Sequence, residues 1–135
     1  MIVVDTNVIA YLLIAGNKTA TARAVFERDS DWVAPSLWES EFLSVLSKHL
    51  RARTMNLADA IELLKEAADV MDQAAADALP ADVLKLVEAS KCSSYDCEFV
   101  ALAKHLGAPL VTVDAKVRRE FPGVAVSPED FEKGT

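Results

Sequence analysis

Met1-Ile2-Val3-Val4-Asp5-Thr6-Asn7-Val8 sets the architecture of the chain. Met1–Val4 is a short continuous apolar run rich in β-branched residues, with no polar alternation, the pattern of a strand buried on both faces. Such a strand lies inside a sheet that helices cover on two sides. A helical segment follows at once: Thr6–Ala15 reads as a helix, and Gly16-Asn17 breaks it. The apolar run has no basic region ahead of it and no cleavage-like site, so it reads as a first strand and not as a signal peptide.

Working outward, Thr19–Arg28 forms a second short helix, and Asp31–Ala34 a second strand stopped by Pro35. Ser36–Arg53 is a strong helix, opened by a capping box of Ser36 and Glu39 and closed by Arg51 and Arg53. Asn56–Met71 is another helix, on which Leu57, Ile61, Leu64, Ala68 and Met71 recur at helical spacing and read as core. Gln73–Leu79 is weakly strand-like. Pro80–Ser90 is helical, with Pro80 in its first turn, and Ser94–Leu106 is a helix ended by Gly107. Pro109–Val113 is a further buried strand, Ala115–Phe121 a short helix, and Val124–Val126 a short last strand. The polar tail from Ser127 to Thr135 is expected to fray. Strands and helices alternate with connections long enough for parallel pairing. The expected fold is therefore α/β, a three-layer α/β/α sandwich with a central, mostly parallel sheet.

Composition narrows the class. At 135 residues the chain holds roughly one domain, spanning 1–135. Its 52% hydrophobic and 26% charged residues exclude a disordered chain. No apolar run approaches the roughly 18 residues of a membrane span. Two cysteines, Cys92 and Cys97, cannot form a disulfide framework, so the cytoplasm is the default location. No phosphate-binding glycine loop and no G-x-S-x-G elbow occurs. A net charge of −7 argues against a general nucleic-acid binder and fits a chain that keeps carboxylates for a cation or a basic partner.

The placement of the acids says more than their sum. In open parallel sheets, ligands sit beyond the carboxyl ends of the strands. Asp5 follows the first strand and Asp114 follows Leu110-Val111-Thr112-Val113. Aspartate is also a favoured N-cap, and each of these precedes a helix, so taken singly both readings stand. Asp96 lies on the inward half of its helix, near the stripe of Phe99, Leu102, Ala103 and Leu106, while Glu98 is expected to point away. Ser93-x-x-Asp96 is also a capping box. Glu41 lies at the edge of the stripe made by Trp38, Phe42, Val45 and Leu46, and the helical wheel leaves its direction open. Two carboxylates about 5 Å apart repel by roughly 3 kcal/mol at an effective dielectric near 20. A cluster of four is therefore kept only if a cation neutralises it, and all-carboxylate donors suit hard ions, Mg²⁺ or Mn²⁺.

Four stretches together resemble a family. They are Val4-Asp5-Thr6-Asn7-Val8, Pro35-Ser36-Leu37-Trp38-Glu39-Ser40-Glu41-Phe42-Leu43-Ser44-Val45-Leu46, Tyr95-Asp96 through Val100-Ala101-Leu102-Ala103, and Leu106-Gly107-Ala108-Pro109-Leu110-Val111-Thr112-Val113-Asp114. In order and spacing they are similar to the successive motifs of PIN-domain ribonucleases, above all the VapC-type toxins of toxin–antitoxin pairs. That resemblance implies an Mg²⁺- or Mn²⁺-dependent endoribonuclease, restrained by a cognate antitoxin and commonly a homodimer. Asp5, Glu41, Asp96 and Asp114 match the family's acidic positions, and Asn7 and Thr112 its small polar supporting positions. Lys116 stands where some relatives carry a further acid.

The expected chemistry is hydrolysis of RNA phosphodiester bonds. Asp5, Asp96 and Asp114 would hold the ion and Glu41 would orient or deprotonate water. Lys116, Arg118 and Arg119 follow Asp114 closely and are candidates for flanking phosphates, or else a solvated basic helix end. The competing class is a catalytically silent domain of the same fold that binds RNA or a protein.

Overall fold

The computed structural model describes residues 1–71 and 77–134. The central sheet contains β1 (Ile2–Val4), β2 (Trp32–Val33), β3 (Leu110–Val111) and β4 (Ala125–Val126). They run in the order β2-β1-β3-β4, and every pairing is parallel. Val3 sits opposite Val33 on one side and Leu110 on the other, so β1 is interior to the sheet. Trp32 also bridges Met71 in parallel, which lengthens the sheet beyond β2.

Ile2, Val3 and Val4 are all buried although successive side chains point to opposite faces. Both faces of the sheet are thus covered, as the unbroken apolar run requires. The helices are α1 (Thr6–Leu13), α2 (Thr19–Arg28), α3 (Leu37–Arg51), α4 (Leu57–Val70), α5 (Pro80–Glu88), α6 (Ser94–Leu106), α7 (Ala115–Glu120) and α8 (Pro128–Glu132). α6 lies on β1 and β3 and carries α5 on its other side, while α1 packs against α2, α3 and α4. Trp32, Phe42, Ile9 and Leu102 are fully buried between them. Phe26 meets Trp32 edge-on at 5.3 Å, and the Trp32 indole N–H donates to the Asp29 carbonyl at 2.8 Å. The fold is α/β with a central parallel sheet, as expected.

Several local expectations need correction. The segment after Ser127 does not fray at once but forms α8. Ser127 Oγ accepts the Asp130 N–H at 3.1 Å, Pro128 is buried, and Arg28 of α2 covers the Phe131 ring at 5.4 Å. A helix of five residues has too short a period to read, and its docking on α2 fixes it. The Ser36–Glu39 capping box is absent, because the Ser36 hydroxyl and N–H both go to Asp77, each at 2.7 Å. On α4 the buried residues are Ala60 and Ala67, whereas Leu57 and Ile61 are exposed. Leu63, Leu64 and Val70 pack half-buried against the core and Met71 is buried, so the buried face is turned away from the Leu57–Ile61 edge of the expected stripe. Of the weak strand at 73–79, residues 73–76 lie outside the described residues and 77–79 have no regular structure.

Candidate active site

β1 ends at Val4 and α1 begins at Thr6, so Asp5 is the entire connection. It caps α1, its Oδ1 accepting the Val8 N–H at 3.0 Å. Its Oδ2 accepts two more bonds, from the Thr112 hydroxyl at 2.5 Å and the Val113 N–H at 3.0 Å. Its own N–H donates to the Val111 carbonyl at 3.1 Å. Asp5 is therefore stitched to β3 by both main chain and side chain. Thr112 is almost fully buried, and its hydroxyl oxygen also accepts the Asp114 N–H at 3.1 Å. Asp114 in turn caps α7, its Oδ1 receiving the N–H groups of Lys116 and Val117 at 2.9 and 3.3 Å. The capping and site readings of these aspartates are compatible: capping occupies part of each carboxylate and holds its direction.

Glu41 points inward from α3. The buried Thr6 hydroxyl donates to its Oε1 at 2.7 Å, linking the first turn of α1 to α3. Asp96 stands in the first turn of α6, half-buried, and its N–H donates to Ser93 Oγ at 3.1 Å. All four carboxylates line one cleft of about 260 Å³ at the carboxyl edge of the sheet. Asn7, Ser44, Val45, Lys48, Phe99 and Thr112 complete much of its wall.

Burial pushes the Asp5 carboxyl above its ordinary pKa. The bonds from Thr112, Val8 and Val113 pull it back, and the nearby Asp114 charge pushes it up again. Glu98 also titrates high, first through burial and then through the charges of Asp77 and Glu41. Glu98 is half-buried and is not among the residues that line the cleft, so it stays off the site as expected while still feeling those two charges. The wheel of α6 locates Glu98 relative to its own helix but says nothing of the neighbours at its flank.

The residues downstream of Asp114 lie elsewhere than expected. Among the described residues, none of Lys116, Arg118 and Arg119 lines the cleft, and its basic lining residue is Lys48. Arg118 is half-buried, with Nη1 donating to the Thr112 carbonyl at 2.9 Å. Lys48 and Thr6 escaped the sequence reading. Lys48 carried a usable signal, since Glu41, Val45 and Lys48 are four and then three residues apart and share one helical face.

A model of the PIN domain matches residues 2–120. The chain belongs to the PIN-domain family. No curated protein matches it. Among solved structures it is similar to PAE2754 from Pyrobaculum aerophilum, with a TM-score of 0.78 and 20% identity, over 98% of this chain and 93% of that one. That likeness is one of fold. PIN domains are generally metal-dependent nucleases. In the chemistry of its donors the cleft of this PIN domain fits a hard divalent cation: four carboxylates line it, and among the described residues none of them forms an ion pair with lysine or arginine. As the side chains stand, no three acidic, histidine or cysteine groups among the described residues are drawn together closely enough to hold a metal. No helix among those residues is long and apolar enough to cross a membrane.

Proposed function

We propose that this PIN domain is an Mg²⁺-dependent endoribonuclease, with Mn²⁺ as a substitute, and that it serves as the VapC-type toxin of a type II toxin–antitoxin pair. A cognate antitoxin would restrain it in the cytoplasm, and it would work as a homodimer. One observation carries the nuclease reading: Asp5, Glu41, Asp96 and Asp114, from four separate stretches of the chain, line a single cleft at the sheet's carboxyl edge. The toxin reading rests on the order and spacing of the four motifs across the chain.

Asp5, Asp96 and Asp114 are the residues to hold the ion. When bound, it supplies the positive field that neutralises the scissile phosphate and makes water a better acid. The remaining work belongs to the chain. Thr112 and the Val113 N–H orient Asp5, as hydrogen bonds behind a ligand do. Thr6 leaves Glu41 one bonded oxygen, Oε1, and Oε2 is the atom that accepts the proton of the attacking water. The water oxygen forms the new bond to phosphorus as the P–O3′ bond breaks; the 3′ oxygen takes a proton from solvent and leaves as a hydroxyl, and the other product carries a 5′-phosphate.

The test is cleavage of a structured RNA in Mn²⁺ by the parent, Asp5→Asn and Asp96→Asn. Loss of cleavage in both variants, with folding retained, is expected. Full activity in either would remove the site as drawn. A parent that binds RNA without cutting it would support the silent-domain reading instead. Growth arrest on expression, relieved by the product of an adjacent short reading frame, tests the toxin assignment separately.

A further inference from the structure

A second cavity adjoins the acidic cleft. It measures about 230 Å³, and the two share Asn7 and Val45 as wall residues. α1 and the loop after it form one side, and α3 supplies Val45 and His49 on the other. Its chemistry is the reverse of its neighbour's. Among the described residues, four carboxylates line the first cavity and none lines the second, which has Lys18, His49 and the half-buried Tyr11. The His49 ring is steadied by a 2.8 Å contact between Nδ1 and Thr54 Oγ1. Lys48, on the wall of the acidic cleft, is the residue next to His49 on α3.

We infer that this second cavity is a nucleotide subsite, which holds one base and the phosphates beside the scissile bond of a single-stranded RNA. The inference rests on the nuclease reading and extends it by assigning the path of the strand. A chain with a net charge of −7 cannot gather RNA by its overall field. Local cations beside the cutting point can, and base stacking on an aromatic side chain adds affinity without reading sequence. The cavity lies just below the roughly 300–1,000 Å³ of drug-sized pockets, a scale suited to a single nucleotide. From the cutting point, the strand would pass Asn7 and Val45, place a base on Tyr11, and set its backbone against Lys18 and Lys48.

The test measures binding of a fluorescent single-stranded oligoribonucleotide to the Asp5→Asn protein across a salt series. Tyr11→Leu should weaken binding about tenfold, and Tyr11→Phe should retain it. Lys18→Gln and Lys48→Gln should each reduce the slope of log K against log salt by about 0.7. Lys104→Gln, on α6 and outside both cavities, is the control and should leave the slope unchanged. Normal unfolding midpoints separate lost contact from lost fold. Unchanged affinity and slope in the Tyr11, Lys18 and Lys48 variants, with RNA still bound and cut by the parent, would overturn the subsite while sparing the nuclease. It would also leave that surface to a protein partner. A parent that neither binds nor cuts RNA would overturn both.

Discussion

The two halves of the acidic cleft are built differently. Asp5 and Glu41 are each gripped by a buried threonine on another element, Asp5 by Thr112 and Glu41 by Thr6. Asp96 projects from the first turn of α6, and Asp114 caps α7. Asp114 is exposed, and its bonds come from the N–H groups of its own helix. Fixing a carboxylate from a distant element requires a buried donor, and burying a hydroxyl is tolerable only when it is bonded. Two acids of this cleft are thus preorganised from a distance, and Asp96 and Asp114 keep the looser placement that their own helices give them.

The largest expected effect comes from the fixed half. Asp5→Asn should reduce Mn²⁺-stimulated cleavage by at least about 100-fold, measured in single turnover. It should also change how stability depends on pH. The Asp5 carboxyl is raised above its ordinary 3.8 when folded. Its contribution is therefore fully present below that value and is lost as pH climbs through the folded pKa. The parent's melting temperature should fall relative to that of Asp5→Asn as metal-free buffer is taken upward from pH 4. A constant gap across that window would show that Asp5 is not raised.

Thr6→Val should come next. It removes the bond to Glu41 while keeping the shape of the side chain, and such a loss behind a catalytic group typically costs about 10- to 100-fold in activity. Most of the loss should fall on kcat and not on KM, and Thr6→Ser should recover much of it. Equal activity of the valine and serine variants would leave Thr6 a packing residue.

Thr112→Val acts on stability as well, because it strips a hydroxyl from a charged acceptor. A cost of about 1.5–3 kcal/mol is expected by denaturant titration. The exposed half should respond least in stability. Asparagine caps a helix about as well as aspartate, so Asp114→Asn should shift unfolding by no more than about 0.5 kcal/mol. Any loss of cleavage in that variant then reports on the cleft and not on α7.

This contrast also explains what the sequence made legible. Asp5 and Asp114 could be placed because they end runs such as Ile2-Val3-Val4 and Leu110-Val111, whose strand character is local. Asp96 could be placed because Phe99, Leu102 and Ala103 mark the buried face of α6. Thr6 was invisible because its partner lies 35 residues away. Ser36 misled for the same reason: a local capping pattern lost to Asp77, 41 residues on. Helical periodicity keeps Glu98 off the cleft but cannot anticipate that it is half-buried and feels the charges of Asp77 and Glu41. Patterns confined to one element survived folding, and pairings between elements had to await coordinates.

The single-residue link between β1 and α1 has a mechanical consequence. With Val4 in the strand and Thr6 already in the helix, Asp5 has no slack, and the bonds to Val111 and Val113 hold it on a second side. It is a fixed anvil. Any tightening of the cleft falls to the acids that no distant element holds, Asp96 on α6 and Asp114 ahead of α7, which directs the search for motion to the starts of those two helices.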